Sequence, residues 1–70
     1  MNIIYNPGTD LLYIRIDDKK QEVVNQRVSD EMVLDIGEDS KIVGIEILDA
    51  SKNVDLDKVL PVTYSYEKVC

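Results

Sequence analysis

Apolar and polar positions alternate along most of the chain with the two-residue period of β-strands. The clearest case is Met32-Val33-Leu34-Asp35-Ile36-Gly37, then a polar Glu38-Asp39-Ser40-Lys41, then Ile42-Val43-Gly44-Ile45-Glu46-Ile47-Leu48. These runs read as a hairpin. With Ile36 set against Val43, Leu34 meets Ile45 and Met32 meets Ile47, so these apolar side chains share one side of the sheet. A slip of one residue destroys that agreement. The same register puts Asp35 across from Gly44 and diagonal to Glu46 on the opposite side. A glycine inside so strong a strand marks a bulge, or a close approach by another backbone or a tyrosine ring.

Earlier in the chain, Tyr5-Asn6-Pro7-Gly8-Thr9-Asp10 has the chemistry of a type II turn: Pro7 presets φ, and Gly8 supplies the positive φ required next. Strands are expected on either side, Asn2 to Tyr5 and Asp10 to Ile16. In the second, Leu12, Ile14 and Ile16 share one face, and Leu11, Tyr13 and Arg15 the other. Tyrosine beside a long basic side chain suits a contact surface. Asp17-Asp18-Lys19-Lys20 is a charged break. Gln21 to Val28 follows as a less regular strand, with Val24 and Val28 expected to point inward and Gln26 awkward between them.

After Leu48 the pattern changes. Asp49, Ser51, Asn53 and Asp55 are candidate caps, and Leu56, Val59 and Leu60 have the spacing of a short amphipathic helix that Pro61 ends. Val62 to Val69 alternates again, with Val62, Tyr64 and Tyr66 on one face. The expected fold is mainly β (a β-rich α+β class): an antiparallel meander of five or six short strands with one short helix near the C-terminus. Residues 1–70 form one small domain, with residues 1–52 as the β core and 53–70 as helix plus final strand.

A chain of 70 residues hides a modest share of its surface and needs support from a disulfide, a metal or self-association. Cys70 is the only cysteine, so an internal disulfide is excluded and a reducing cytoplasm is the expected compartment. No basic, signal-length apolar leader is seen at the N-terminus, and no apolar run is long enough to span a bilayer. Self-association, with a dimer the simplest form, is the expected support, and Tyr64 and Tyr66 on an edge strand are the interface candidates. The net charge of −6 opposes contact with nucleic acid or an anionic membrane and favours a basic protein partner.

With no histidine, the chain lacks the common neutral-pH base and the commonest zinc ligand. Carboxylate chemistry remains. Asp10, Asp35, Glu46 and Asp49 are the candidates, since they flank or interrupt apolar strands, and Tyr13 and Gly44 join them as candidate functional positions. A carboxylate pair can hold magnesium or exchange protons. Solvent-facing strand positions and turn caps explain the same residues more simply. The run Asp49-Ala50-Ser51-Lys52-Asn53-Val54-Asp55 superficially resembles a calcium loop, but Val54 replaces the required glycine and Leu60 the bidentate glutamate. No glycine-rich loop opens a helix, so no nucleotide or other cofactor is indicated.

Asp10-x-Leu12-Tyr13-Ile14-Arg15-Ile16, Val33-Leu34-Asp35-Ile36 and Ile42-Val43-Gly44-Ile45-Glu46-Ile47-Leu48-Asp49-Ala50-Ser51 together resemble the small prokaryotic domain of unknown function family 2283 over residues 1–52. The resemblance implies a compact β-rich fold and brings no catalytic residue or cofactor. Some relatives are encoded beside small toxin-like proteins, so the resemblance implies an antitoxin-like or partner-binding role. Two functions follow as expectations. One is an interaction module that self-associates and binds a basic partner. The other is a metal-assisted carboxylate enzyme acting on a small substrate through Asp35, Glu46 and Asp49.

Overall fold

The structure is a computed structural model in which residues 1–59 are described. Five strands, β1 (Asn2–Asn6), β2 (Leu11–Arg15), β3 (Val24–Arg27), β4 (Met32–Ile36) and β5 (Ile42–Ile47), form one antiparallel sheet in the order β1-β2-β5-β4-β3. β3, β4 and β5 are a continuous meander. The connection from β2 to β3 spans the sheet, so the chain returns to lay β5 beside β2, the strand order of a Greek key. A single helical turn, α1 (Ala50–Asn53), and 3-10 turns at Glu38–Ser40 and Leu56–Lys58 complete the described chain.

The β4–β5 register matches the alternation: Met32 faces Ile47, Leu34 faces Ile45, and Asp35 faces Gly44. It shifts at the turn end, where Ile36 faces Ile42 instead of Val43. Val43 becomes the extra residue of a bulge, buried to 1% exposure, and its carbonyl accepts from both Ile16 N (2.8 Å) and Asp17 N (3.1 Å). The bulge thus fastens the end of β2.

The β1–β2 hairpin departs from the type II expectation. The Asn6 side chain accepts from Gly8 N at 2.8 Å and Thr9 N at 3.3 Å. With the turn held by this side chain, the left-handed conformation falls to Asp10 (φ 54°), and Gly8 has no positive φ.

One face of the sheet carries Ile3, Tyr5, Leu12, Ile14, Leu34, Ile36, Ile45 and Ile47, as the paired registers require. Leu12 (2% exposed) and Ala50 (0%) anchor its packing. Leu56 and Val59 lie over the β1–β2 end, enclosing with Ile3, Tyr5 and Leu12 a cavity of 150 Å³. Elsewhere on this face Ile14, Leu34, Ile36, Ile45 and Ile47 are only half-buried. Val24 and Val28, expected inward, are 69% and 56% exposed. β3 is an edge strand paired only to β4, so its side chains have neighbours on one side only.

The expected helix around Leu56 is limited, among described residues, to the 3-10 turn Leu56–Lys58, capped by Asp55, which accepts from Asp57 N at 3.2 Å. Leu60, Pro61 and the expected final strand with Tyr64 and Tyr66 lie outside the described residues. No helix of the described residues is long and apolar enough to cross a membrane.

Candidate functional site

The opposite face of the sheet holds a polar cluster at its centre. Alternation turns Tyr13 and Arg15 of β2, Val33 and Asp35 of β4, and Gly44 and Glu46 of β5 to this side, with Tyr13 opposite Glu46 and Gly44 between Arg15 and Asp35. Tyr13 donates its hydroxyl hydrogen to Asp35 Oδ2 at 2.9 Å, and Arg15 Nη1 donates to the Tyr13 oxygen at 3.2 Å. A Cβ on Gly44 would stand 2.7 Å from the Tyr13 hydroxyl and 3.0 Å from Asp35 Oδ2. Gly44 is therefore the gap through which tyrosine and aspartate meet, the close tyrosine approach its position in a strand suggests.

Asp35 is buried at 7% exposure, and its second oxygen, Oδ1, has no hydrogen-bond donor. Buried acceptors rarely go unsatisfied. Glu46 lies within hydrogen-bonding reach of Asp35, and burial first, then this neighbouring carboxyl, raises its pKa above the usual 4.5. Burial also raises the Tyr13 pKa above 10.0, with Asp35 adding to the rise and Arg15 opposing it, so this hydroxyl remains a donor at neutral pH. Over the cluster lies an open hollow of 480 Å³ whose wall includes Ile4, Leu11, Tyr13, Asn25, Asp35 and Glu46.

Asp10 belongs to a different cluster. Its carbonyl accepts from Ala50 N at 2.9 Å, its Oδ1 accepts from Ser51 N at 3.0 Å and from the Tyr5 hydroxyl at 2.7 Å, and its Oδ2 accepts from Ser51 Oγ at 2.7 Å. Hydrogen bonding from Ser51 and then Tyr5 holds the Asp10 carboxyl below its usual 3.8, and the same bond raises the Tyr5 pKa above 10.0. Asp10 thus caps α1 from across the fold. Asp49, which precedes the helix, makes no side-chain cap bond and has a left-handed φ of 50°. Ser51, expected as a cap, receives one.

The sequence-predicted residues therefore separate. Tyr13, Asp35, Gly44 and Glu46 are brought together on the polar face, Asp10 serves the helix, and Asp49 lies at the turn after β5, apart from the Asp35–Glu46 pair. Among the described residues no three His, Cys, Asp or Glu side chains converge as a metal site would need. Tyr5 and Asn25 are participants that the sequence reading does not single out, whereas Arg15 stands beside Tyr13 on the face read as a contact surface. For Arg15 and Asn25 the available signal was the two-residue period, which sets them on the side of Tyr13 and Asp35.

Fold and site define a small antiparallel β protein with one apolar sheet face and a carboxyl pair on the other. The chain belongs to the family described as Protein of unknown function (DUF2283), whose pattern matches residues 2–51. That span runs from the start of β1 to Ser51, so it ends on the residue Asp10 caps. No curated protein and no solved structure matches the chain.

Proposed function

We propose that the protein is an interaction module that pairs with a second copy through the apolar face of its sheet and binds a basic partner protein, in the manner of an antitoxin. The half-burial of Ile14, Leu34, Ile36, Ile45 and Ile47 carries this reading. These are the central apolar side chains, which one-sided sheets normally cover completely, and contiguous apolar surface of this kind marks an interface. Exposed Ile16 (46%), Val24 (69%) and Ile42 (45%) extend the surface toward β3. The charge of −6 sets the sign of the partner. The carboxylate-enzyme reading is weaker, because of its three acids only Asp35 and Glu46 come together.

Sedimentation velocity on the full chain at micromolar concentration tests the pairing. A dimer is expected, and Val24→Lys, exposed and therefore harmless to the fold, shifts it toward monomer. A wild-type monomer under these conditions sinks the proposal.

A further inference from the structure

Two arginines share the polar face with Asp35 and Glu46, yet neither forms an ion pair with them. Arg15 donates from Nε to Asp17 O at 2.6 Å and from Nη1 to the Tyr13 hydroxyl at 3.2 Å. Arg27 donates from Nη1 to Ser29 O at 3.3 Å and to Asp30 O at 3.0 Å. The one ion pair among the described residues is Lys19–Glu38, at 4.0 Å and on the surface. A buried carboxylate without a cation, and with one oxygen lacking any donor, is costly to keep. The cost is explained if the pair is a receptor.

We propose that the hollow over Tyr13, Asp35 and Glu46 receives one guanidinium group, that of an arginine on the basic partner. The partner's identity rests on the interaction reading above; the receptor itself rests on the geometry. Tyr13 holds Asp35 by Oδ2, which fixes the carboxyl and leaves Oδ1, buried from solvent, without a donor. Glu46 adds two acceptor oxygens beside it. A guanidinium presents a planar fork of donors matched to such an arrangement and is more weakly hydrated than an ammonium, so it enters a partly buried carboxylate site at lower cost. Ile4 and Leu11 on the wall of the hollow offer an apolar run for the aliphatic stem. Magnesium fits less well, since it demands near-octahedral oxygen coordination and the described residues bring no third acid to the pair.

Binding is linked to a proton. The groups facing Glu46 are Tyr13 and Arg15 from β2, Asp35 from β4 and Arg27 from β3, the last beside Glu46 in an adjoining hollow. Burial and Asp35 together keep a proton on Glu46 to higher pH than usual, and the arriving cation replaces it. Below the pKa of Glu46 the affinity therefore falls by up to about tenfold per pH unit.

The test is an NMR titration of the full chain with N-acetyl-argininamide. Expected are saturating shifts at the Tyr13, Gly44 and Glu46 amides, a Kd on the order of millimolar for this fragment of a partner, and weakening as the pH is lowered. Glu46→Gln matches the shape of a half-buried side chain and so keeps the fold, but its affinity drops by at least about tenfold, the factor that one pKa unit of lost interaction represents, and its pH dependence disappears. Unchanged binding in Glu46→Gln overturns the proposal, as do equal affinity for N-acetyl-lysinamide or the same shifts induced by magnesium at equal concentration. Asp35→Asn, checked for folding in the same spectrum, must also weaken binding. A monomeric chain that still binds argininamide in this manner overturns the pairing and leaves the receptor standing; a dimer blind to argininamide does the reverse.

Discussion

The molecule builds a tyrosine–carboxylate pair twice, and the two pairs differ in completeness. In Tyr5–Asp10–Ser51 both carboxylate oxygens accept hydrogen bonds, from a hydroxyl and a backbone amide on one and a second hydroxyl on the other. In Tyr13–Asp35–Glu46 one oxygen accepts from tyrosine, and the other is buried with nothing donating to it. The first cluster lies toward solvent and joins the β1–β2 turn to α1. The second lies deeper and joins nothing that the sheet does not already hold. A saturated carboxylate is a fastening, whereas an unsaturated one beside a second acid is what an arriving cation would complete. Residue type alone does not separate these roles, since tyrosine and aspartate serve both.

Substitutions on each side sharpen the contrast. Asp10→Ala strips α1 of the side-chain cap it has among the described residues and releases Tyr5, and we expect the Tm to fall by roughly 5–10 °C in a domain of this size, measured by thermal denaturation followed by circular dichroism. Gly44→Ala drives a methyl against the Tyr13 hydroxyl and breaks its bond to Asp35; a loss of about 1–3 kcal/mol is expected in urea unfolding. Tyr13→Phe removes the same bond without the clash and costs about 1 kcal/mol by the same measurement. Glu46→Gln is expected to leave stability within about 0.5 kcal/mol at neutral pH. Equal losses from Asp10→Ala and Glu46→Gln would erase the distinction between fastening and receptor.

The clusters also titrate with opposite sign. Asp10 has a folded pKa below 3.8, so its stabilising contribution is complete above that value and is lost as the pH falls through the lower folded pKa. Glu46 has a folded pKa above 4.5, so its contribution is present below that value and is lost as the pH rises through the higher folded pKa. Unfolding curves collected across acid pH should show both limbs. Glu46→Gln flattens the upper limb alone, and Asp10→Asn the lower alone.

How much of this could be read in the sequence depended on how local the cause was. The Leu34–Ile45 and Asp35–Gly44 pairings follow from alternation, and a glycine in so strong a strand leaves room for a tyrosine ring, which the structure supplies as Tyr13. The bulge, one of the alternatives that Gly44 marks, falls one residue earlier at Val43, because Ile42 and Val43 are both apolar and either can oppose Ile36. Val24 and Val28 have the composition of inward residues, but burial depends on what lies alongside, and β3 is at the edge. The sequence sets Asp49 close to Asp35 and Glu46 along one hairpin; its left-handed φ of 50° instead turns the chain at the end of β5. α1 has too few residues to show a helical period, and its cap comes from a residue with no sequence pattern linking the two.

That cap has a kinetic consequence. Asp10 and Ser51 are separated by 41 residues, and a four-residue helix has no independent stability in water. Its closure must therefore wait until β2 and β5 are side by side, placing α1 among the last elements to form and the first to open. The Ser51 amide, bonded to Asp10 Oδ1, then serves as a gauge of the closed chain: its hydrogen exchange reports whether the two ends of the family-matched segment are joined.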